Sequence, residues 1–311
     1  MREYARNLRS YTRKMKMPRG TKTQDLFHKG IFKLHNKLSP RDLSRRINSS
    51  PFLSSDTYYF LCDLHITSEL ALNNYLKNPD SKFKKMYILG SLVRNLLNNL
   101  DLIKNIKLES VVIMESDNLQ HATEIEKLLT ISEKVFSNNL IGSSKGVFAL
   151  PLGLERQAYR SAGNLKNFRS ISNTDPKRRP INFLIAWNDQ TNPDRKQVRN
   201  IFKNLPSTVN IEKRLSAKSI HKLMQKTLFV PSPAGNGLDC HRTWEALYLG
   251  CVPVVLAKDF CGDPSWPVLV VQNWNELTTK PQSELIEIYN SKRLTREQSI
   301  DFSLNVLSKL H

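Results

Sequence analysis

The chain has 311 residues, 40% of them apolar and 24% charged, which suits ordinary buried cores beneath a solvated surface. That composition excludes a disordered polymer and a small disulfide-stapled module, and the length favours two domains. Forty-seven Lys and Arg against 28 Asp and Glu leave a net charge of +19, which suits nucleic acid, an anionic membrane leaflet, an acidic glycan or a nucleotide-linked substrate.

Residues 1–50 hold fourteen basic and three acidic side chains, so +11 of the charge lies there. With no nucleic-acid-binding motif beside it, this segment reads as a solvated or membrane-touching face. No apolar run follows its basic residues, and no stretch reaches the roughly 18–20 apolar residues of a membrane span. Cys62, Cys240, Cys251 and Cys261 lack CxxC spacing, which argues against a disulfide framework and a zinc site. The expectation is a soluble protein of a reducing cytosol.

Apolar positions between residues 82 and 105 recur at helical spacing. The β-branched run 111–114 predicts a buried strand ending in the polar Glu115-Ser116-Asp117-Asn118. A helix is predicted over 121–130, with short strands at 134–136 and 147–150; such alternation suggests a parallel α/β unit. Residues 163–180 are polar and basic with two prolines, and read as a linker. The order then repeats: a strand at 181–187, a helix at 193–204, an apolar segment at 209–211, a helix at 217–226 and a strand at 227–231. A helix ending at Leu249 and strands at 252–256 and 268–271 follow. The whole predicts an α/β protein of two Rossmann-like domains facing a cleft. The first covers 1–165, the linker 166–180, the second 181–290, and a terminal helix 291–311. Ligands of such sheets lie beyond the carboxyl ends of the strands.

Residues 229–255 carry the densest chemistry: strand, Pro/Gly loop, helix, then Gly250 before the next strand. Asp239 is expected to cap the helix N-terminus and Gly250 to hold the left-handed position past its C-terminus. Gly235 and Gly237 would let the backbone approach a ligand, and the helix start offers an anion site. Arg242, in the first turn, can grip phosphate oxygens through two N–H groups. Glu245 projects from nearly the same face and can accept from two ribose hydroxyls. His241 can donate to a phosphate or a departing group, and Ser232 and Asn236 complete the loop. Trp244, Leu247 and Tyr248 belong to the core. The bland reading of Arg242 and Glu245 is a surface ion pair. No GK[ST] follows the glycines, and Cys240 stands where the third glycine of a dinucleotide fingerprint would be.

The run SPAGNGLDCHRTWEALYLGCVPVV resembles the donor-site motif of exostosin-like glycosyltransferases of the GT-B fold. The shared pattern is a Ser/Pro–Gly loop, an Arg, two residues, Glu-Ala, and a Gly-Cys-Val-Pro-Val turn into a strand. The resemblance implies inverting transfer from a nucleotide sugar to a hydroxyl acceptor, with Arg242 on the donor diphosphate and Glu245 on the ribose. Residues 149–154 are similar to the Pro-Gly segment that ends the acceptor half. Residues 187–195 are similar to the first strand–loop–helix of the donor half, where Arg195 would approach the phosphates. Residues 51–57 take the place of an acceptor-side loop.

The similarity spans about 50–290. The first fifty residues have no counterpart, and the membrane anchor of animal members is not seen, which suggests a bacterial-type enzyme, at most peripheral to the inner leaflet. With no DxD-like pair, Arg242, Arg195 and the loop amides are expected to neutralise the leaving diphosphate without a metal or cofactor. The base should come from the first domain: Asp117 after its strand, or Asp56 in a Ser-Ser-Asp-Thr loop, ahead of Glu115 and Asp63. The partners expected are a nucleotide sugar, a glycan or lipid-linked acceptor, and an anionic membrane surface, with no specific nucleic acid. The alternative is a non-catalytic basic protein binding nucleic acid or acidic polysaccharide; it gives no reason for the Arg242/Glu245 helix.

Overall fold

The computed structural model describes residues 52–115, 117–155, 165–168 and 175–310. All belong to one compact unit spanning 45–311. The basic segment 1–50 and the middle of the predicted linker lie outside the described residues.

Helix α1 (Ser55–Leu61) leads into β1 (Leu64–Ile66), α2 (Glu69–Lys77), β2 (Lys85–Leu89), α3 (Val93–Leu97) and β3 (Leu108–Met114). Then come β4 (Gln120–His121), α4 (Ala122–Ile125), β5 (Ser132–Ser137), β6 (Leu140–Ile141) and β7 (Val147–Ala149). Five of these strands form a parallel sheet in the order β1-β2-β3-β5-β7, and β4 pairs with β6 separately. Met86, Ile88, Val111, Ile113 and Val135 fill its core with Leu72, Leu96 and Ile125 from the helices. The predicted helix over 82–105 is corrected here, because its first third is β2. Met86, Tyr87 and Ile88 are all fully buried, and a strand covered on both faces reads as a continuous apolar run without the period of two.

The second half is β8 (Ile181–Ile185), α5 (Asp194–Phe202), β9 (Thr208–Asn210), α6 (Ala217–Met224), β10 (Thr227–Pro231), α7 (His241–Tyr248) and β11 (Val252–Leu256). It ends with β12 (Leu269–Val271), α8 (Asn275–Thr278), α9 (Gln282–Lys292) and α10 (Arg296–Ser308). The sheet is again parallel, ordered β12-β11-β10-β8-β9. The chain steps outward from β8 to β9, then returns across β8 to β10 and proceeds the other way. Loops that leave β8 and β10 therefore diverge, and a crevice opens between them at the carboxyl edge.

The described ends of the predicted linker are packed against the second half. Phe168 is fully buried, with its ring 6.0 Å from Phe52 and 4.8 Å from His221. Arg179 is buried too, and donates to the carbonyls of Met224 (3.1 Å), Thr227 (2.7 Å) and Leu249 (2.8 Å). Two of those carbonyls lie at the C-terminal ends of α6 and α7, where a cation is favoured. Gly250 takes the expected left-handed conformation (φ 76°). Its N–H reaches Leu247 C=O at 3.0 Å and that of Cys251 reaches Ala246 C=O at 2.9 Å, closing α7. Helix α10 lies against α7, with Phe302 stacked on Trp244 and Ser303 bonded to the Tyr248 hydroxyl. No helix among the described residues is long and apolar enough to cross a membrane.

Candidate functional site

A crevice of about 480 Å³ opens at the divergence of the β8 and β10 loops. One wall is built by Trp187, Asn188, Thr191 and Arg195 after β8, and by Gly235 through Glu245 after β10. The other carries Ser55, Glu115, Asp117, Leu152 and Glu155 from the first half. Three segments are laced together behind it. Leu154 N–H donates to Leu53 C=O (2.8 Å), Leu53 N–H to the Tyr248 hydroxyl (3.0 Å), and the Tyr58 hydroxyl to Pro151 C=O (3.0 Å).

Helix α7 starts one residue later than expected. Cys240 is its N-cap in extended conformation and makes no side-chain cap. Asp239 instead accepts from Leu152 N–H (2.7 Å) and from the indole N–H of Trp244 (2.8 Å). The buried Trp244 needs an acceptor, and this carboxylate meets it while tying the loop to residue 152. Burial pushes the Asp239 carboxyl up to about 6, against the pull of those hydrogen bonds.

Arg242 and Glu245 meet in the crevice. Arg242 Nη1 donates to Glu245 Oε2 at 2.6 Å, and this is no surface pair, since the Glu245 side chain is only 4% exposed. His221 Nε2, from α6, stands 3.6 Å from the same oxygen. Burial would raise the Glu245 carboxyl, but the Arg242 guanidinium beside it opposes that, and the group is held below the usual carboxylate range. His241 donates from Nδ1 to Gly153 C=O (2.8 Å) and turns Nε2 toward Glu155, 3.9 Å away.

The loop residues are engaged with the protein rather than held open. Arg195 directs its five N–H donors at the carbonyls of Ala234, Asn188 and Pro233, the Thr191 hydroxyl and the Cys240 sulfur. Desolvation lowers its guanidinium from the ordinary value. It holds the loop in shape and lends its charge to the crevice through that loop. The glycines admit protein side chains: a Cβ at Gly235 would stand 2.8 Å from Arg195 Nη2, and one at Gly237 2.6 Å from Asn139 Nδ2. Gly235 N–H is already bonded to Gly237 C=O at 2.9 Å, which corrects the expectation of two open amides. Ser232 is buried, bonded to the Thr243 hydroxyl at 2.9 Å. Asn236 reaches across and donates to Asp117 Oδ2 at 3.2 Å.

Of the carboxylates expected from the first half, Asp117 is exposed on the crevice wall. Asp56 lies in the first turn of α1, which contributes Ser55 to the described lining rather than Asp56. Asp63 accepts from the N–H groups of Lys84 and Lys85, a turn function. Glu115 lines the crevice from a left-handed backbone position (φ 56°) and accepts from the Tyr87 hydroxyl at 2.9 Å. Such strain at a non-glycine residue is typical of functional positions.

The sequence reading missed Glu155 and His221, and singled out neither Trp187 nor Asn139. Glu155 directly follows the Pro-Gly segment, a signal that was present; His221 and Asn139 gave none, because their roles arise from contacts 24 and about 100 residues distant. Among the described residues no group of three His, Cys, Asp or Glu is placed to hold a metal ion. The chain matches no protein-family model, and no curated protein matches it. The site therefore offers a cationic wall at a helix start facing a wall of carboxylates.

Proposed function

We propose that the chain is a glycosyltransferase of the GT-B type, transferring a sugar with inversion from a nucleoside diphosphate donor to a hydroxyl acceptor. The observation that carries this reading is the placement of Arg242 and Glu245 together, one turn apart at the start of α7, in the crevice where the strand order of the second sheet reverses. A diphosphate arriving there meets the positive end of the helix and a guanidinium that can exchange its carboxylate partner for phosphate oxygens. Glu245, released, accepts from the ribose hydroxyls. Trp187 lines the crevice nearby, with the Arg199 guanidinium over its ring at 5.5 Å, and is the aromatic neighbour for the base.

Charge building on the leaving diphosphate is met by Arg242 and the helix start, with Arg195 behind the loop. His241, its tautomer set by the Gly153 carbonyl, presents Nε2 to the same region. Inversion requires the acceptor oxygen to attack from the side opposite the leaving group, which is the wall of carboxylates. There Asp117 is the candidate base and Glu115, oriented by Tyr87, the alternative. Asp56 is set aside, because the wall includes its neighbour Ser55 in its place. The acceptor, a glycan or a lipid-linked hydroxyl, would lie along this wall.

Thermal shift with UDP, GDP, CMP and dTDP tests the reading. One nucleoside diphosphate should raise the melting temperature, by the equivalent of about 2.7 kcal/mol at a hundred times its dissociation constant. If no nucleotide moves the transition, the proposal fails.

A further inference from the structure

We propose that His221 is a positioning residue that takes over Glu245 when Arg242 turns to an anionic ligand, gaining a proton as it does so. The inference rests on reading the crevice as a diphosphate site. His221 is buried on α6, and among the described residues neither of its ring nitrogens has a hydrogen-bond partner. A buried imidazole left without a partner is costly, and its retention calls for a role. Its Nε2 stands 3.6 Å from Glu245 Oε2, the oxygen that Arg242 holds at 2.6 Å. One carboxylate oxygen thus has two cationic candidates, one in contact and one just beyond hydrogen-bond reach.

The two states follow from charge. In the free protein Arg242 neutralises Glu245, and His221 faces a pair of little net charge. A diphosphate draws the Arg242 guanidinium outward, which leaves a carboxylate enclosed without its cation, an expensive arrangement. The attraction at 3.6 Å then acts on His221 alone. Imidazole takes a proton from solvent, becomes imidazolium, and donates through Nε2; no other bond is made or broken. Glu245 remains ionised and able to accept from the ribose.

The groups around His221 fit that role. From α7 the acid that faces it is Glu245, with Arg242 and His241 acting on that same carboxylate. From residues 165–168 it meets the apolar ring of Phe168 at 4.8 Å. On its own helix Lys218 and Lys222 are exposed.

Calorimetric titration of UDP, GDP and inorganic pyrophosphate, in two buffers of different ionisation enthalpy at neutral pH, counts the protons taken up. The ligand's own phosphates titrate alike in every variant, so the difference between wild type and His221→Gln isolates the imidazole. Wild type should take up about half a proton or more beyond H221Q per ligand bound. The Glu245→Gln variant, which lacks the charge that draws the proton, should lose the same uptake. Uridine and guanosine, with no phosphate to move Arg242, should show no such difference. Diphosphate binding with equal proton counts in wild type, H221Q and E245Q overturns this inference and leaves the donor site standing. Failure of wild type to bind any of the diphosphates overturns both.

Discussion

Arg179 shows how much of this structure depends on single side chains whose partners are distant in sequence. Its guanidinium is buried and joins the ends of α6 and α7 to the start of β10 through three carbonyls. Replacing it with Met keeps the bulk and removes the guanidinium donors from those carbonyls, of which the Met224 C=O keeps the Cys251 thiol at 2.9 Å. Arg179→Met should lower unfolding stability by about 3 kcal/mol or more, read from the urea midpoint.

Asp239 gives a pH signature of the opposite sign to a surface ion pair. Its carboxyl titrates near 6 in the folded chain against the ordinary 3.8, so the folded state holds a proton that the unfolded state has released. The contribution is greatest below pH 4 and declines as pH rises to 6, by up to about 3 kcal/mol. The stability advantage of wild type over Asp239→Asn should therefore shrink between pH 4 and 7 in thermal melts. An advantage independent of pH would contradict the assignment. Arg242 and Glu245 were legible from their spacing on one helix face. The engagement of Arg195, Gly237 and Ser232 was not, because Asn139 and the loop carbonyls reach them only through the fold.

At the scale of elements, local pattern served the middle of the second half, from residue 181 to 256, while α8 and α9 went unread. The strands at 227–231 and 252–256 have their predicted bounds, and the helices at 194–202 and 217–224 lie within theirs. These segments carry their own punctuation, a Pro/Gly loop after β10 and Gly250 after α7. The first half was harder. β1 is three residues long, β2 is buried on both faces, and much of the helical structure comes in turns of three to five residues. Such short pieces have too few periods to read. Gly250 marks the difference, since one residue with φ 76° both ends α7 and starts β11. A Cβ there forces the left-handed conformation on an ordinary residue. Gly250→Ala should cost about 1–2 kcal/mol in chemical denaturation, and a neutral substitution would show that the cap is not needed.

For the whole molecule, what composition and motif could not supply was the order of strands. The reversal between β8 and β10 is a property of the assembled sheet, and it places the Arg242 helix at an open edge. The opposing wall depends on a second long-range fact, the lacing of residues 52–58 and 151–155 to α7 and its leading loop. Together they put cationic donors and carboxylates on facing sides of one crevice. The central claim is that Arg242 grips a diphosphate there. Calorimetric titration of the stabilising nucleoside diphosphate into wild type and Arg242→Ala tests it most directly. Wild type should bind saturably and the variant should lose about 2–4 kcal/mol, roughly 30- to 1,000-fold in affinity. Equal affinity in the two proteins would contradict it.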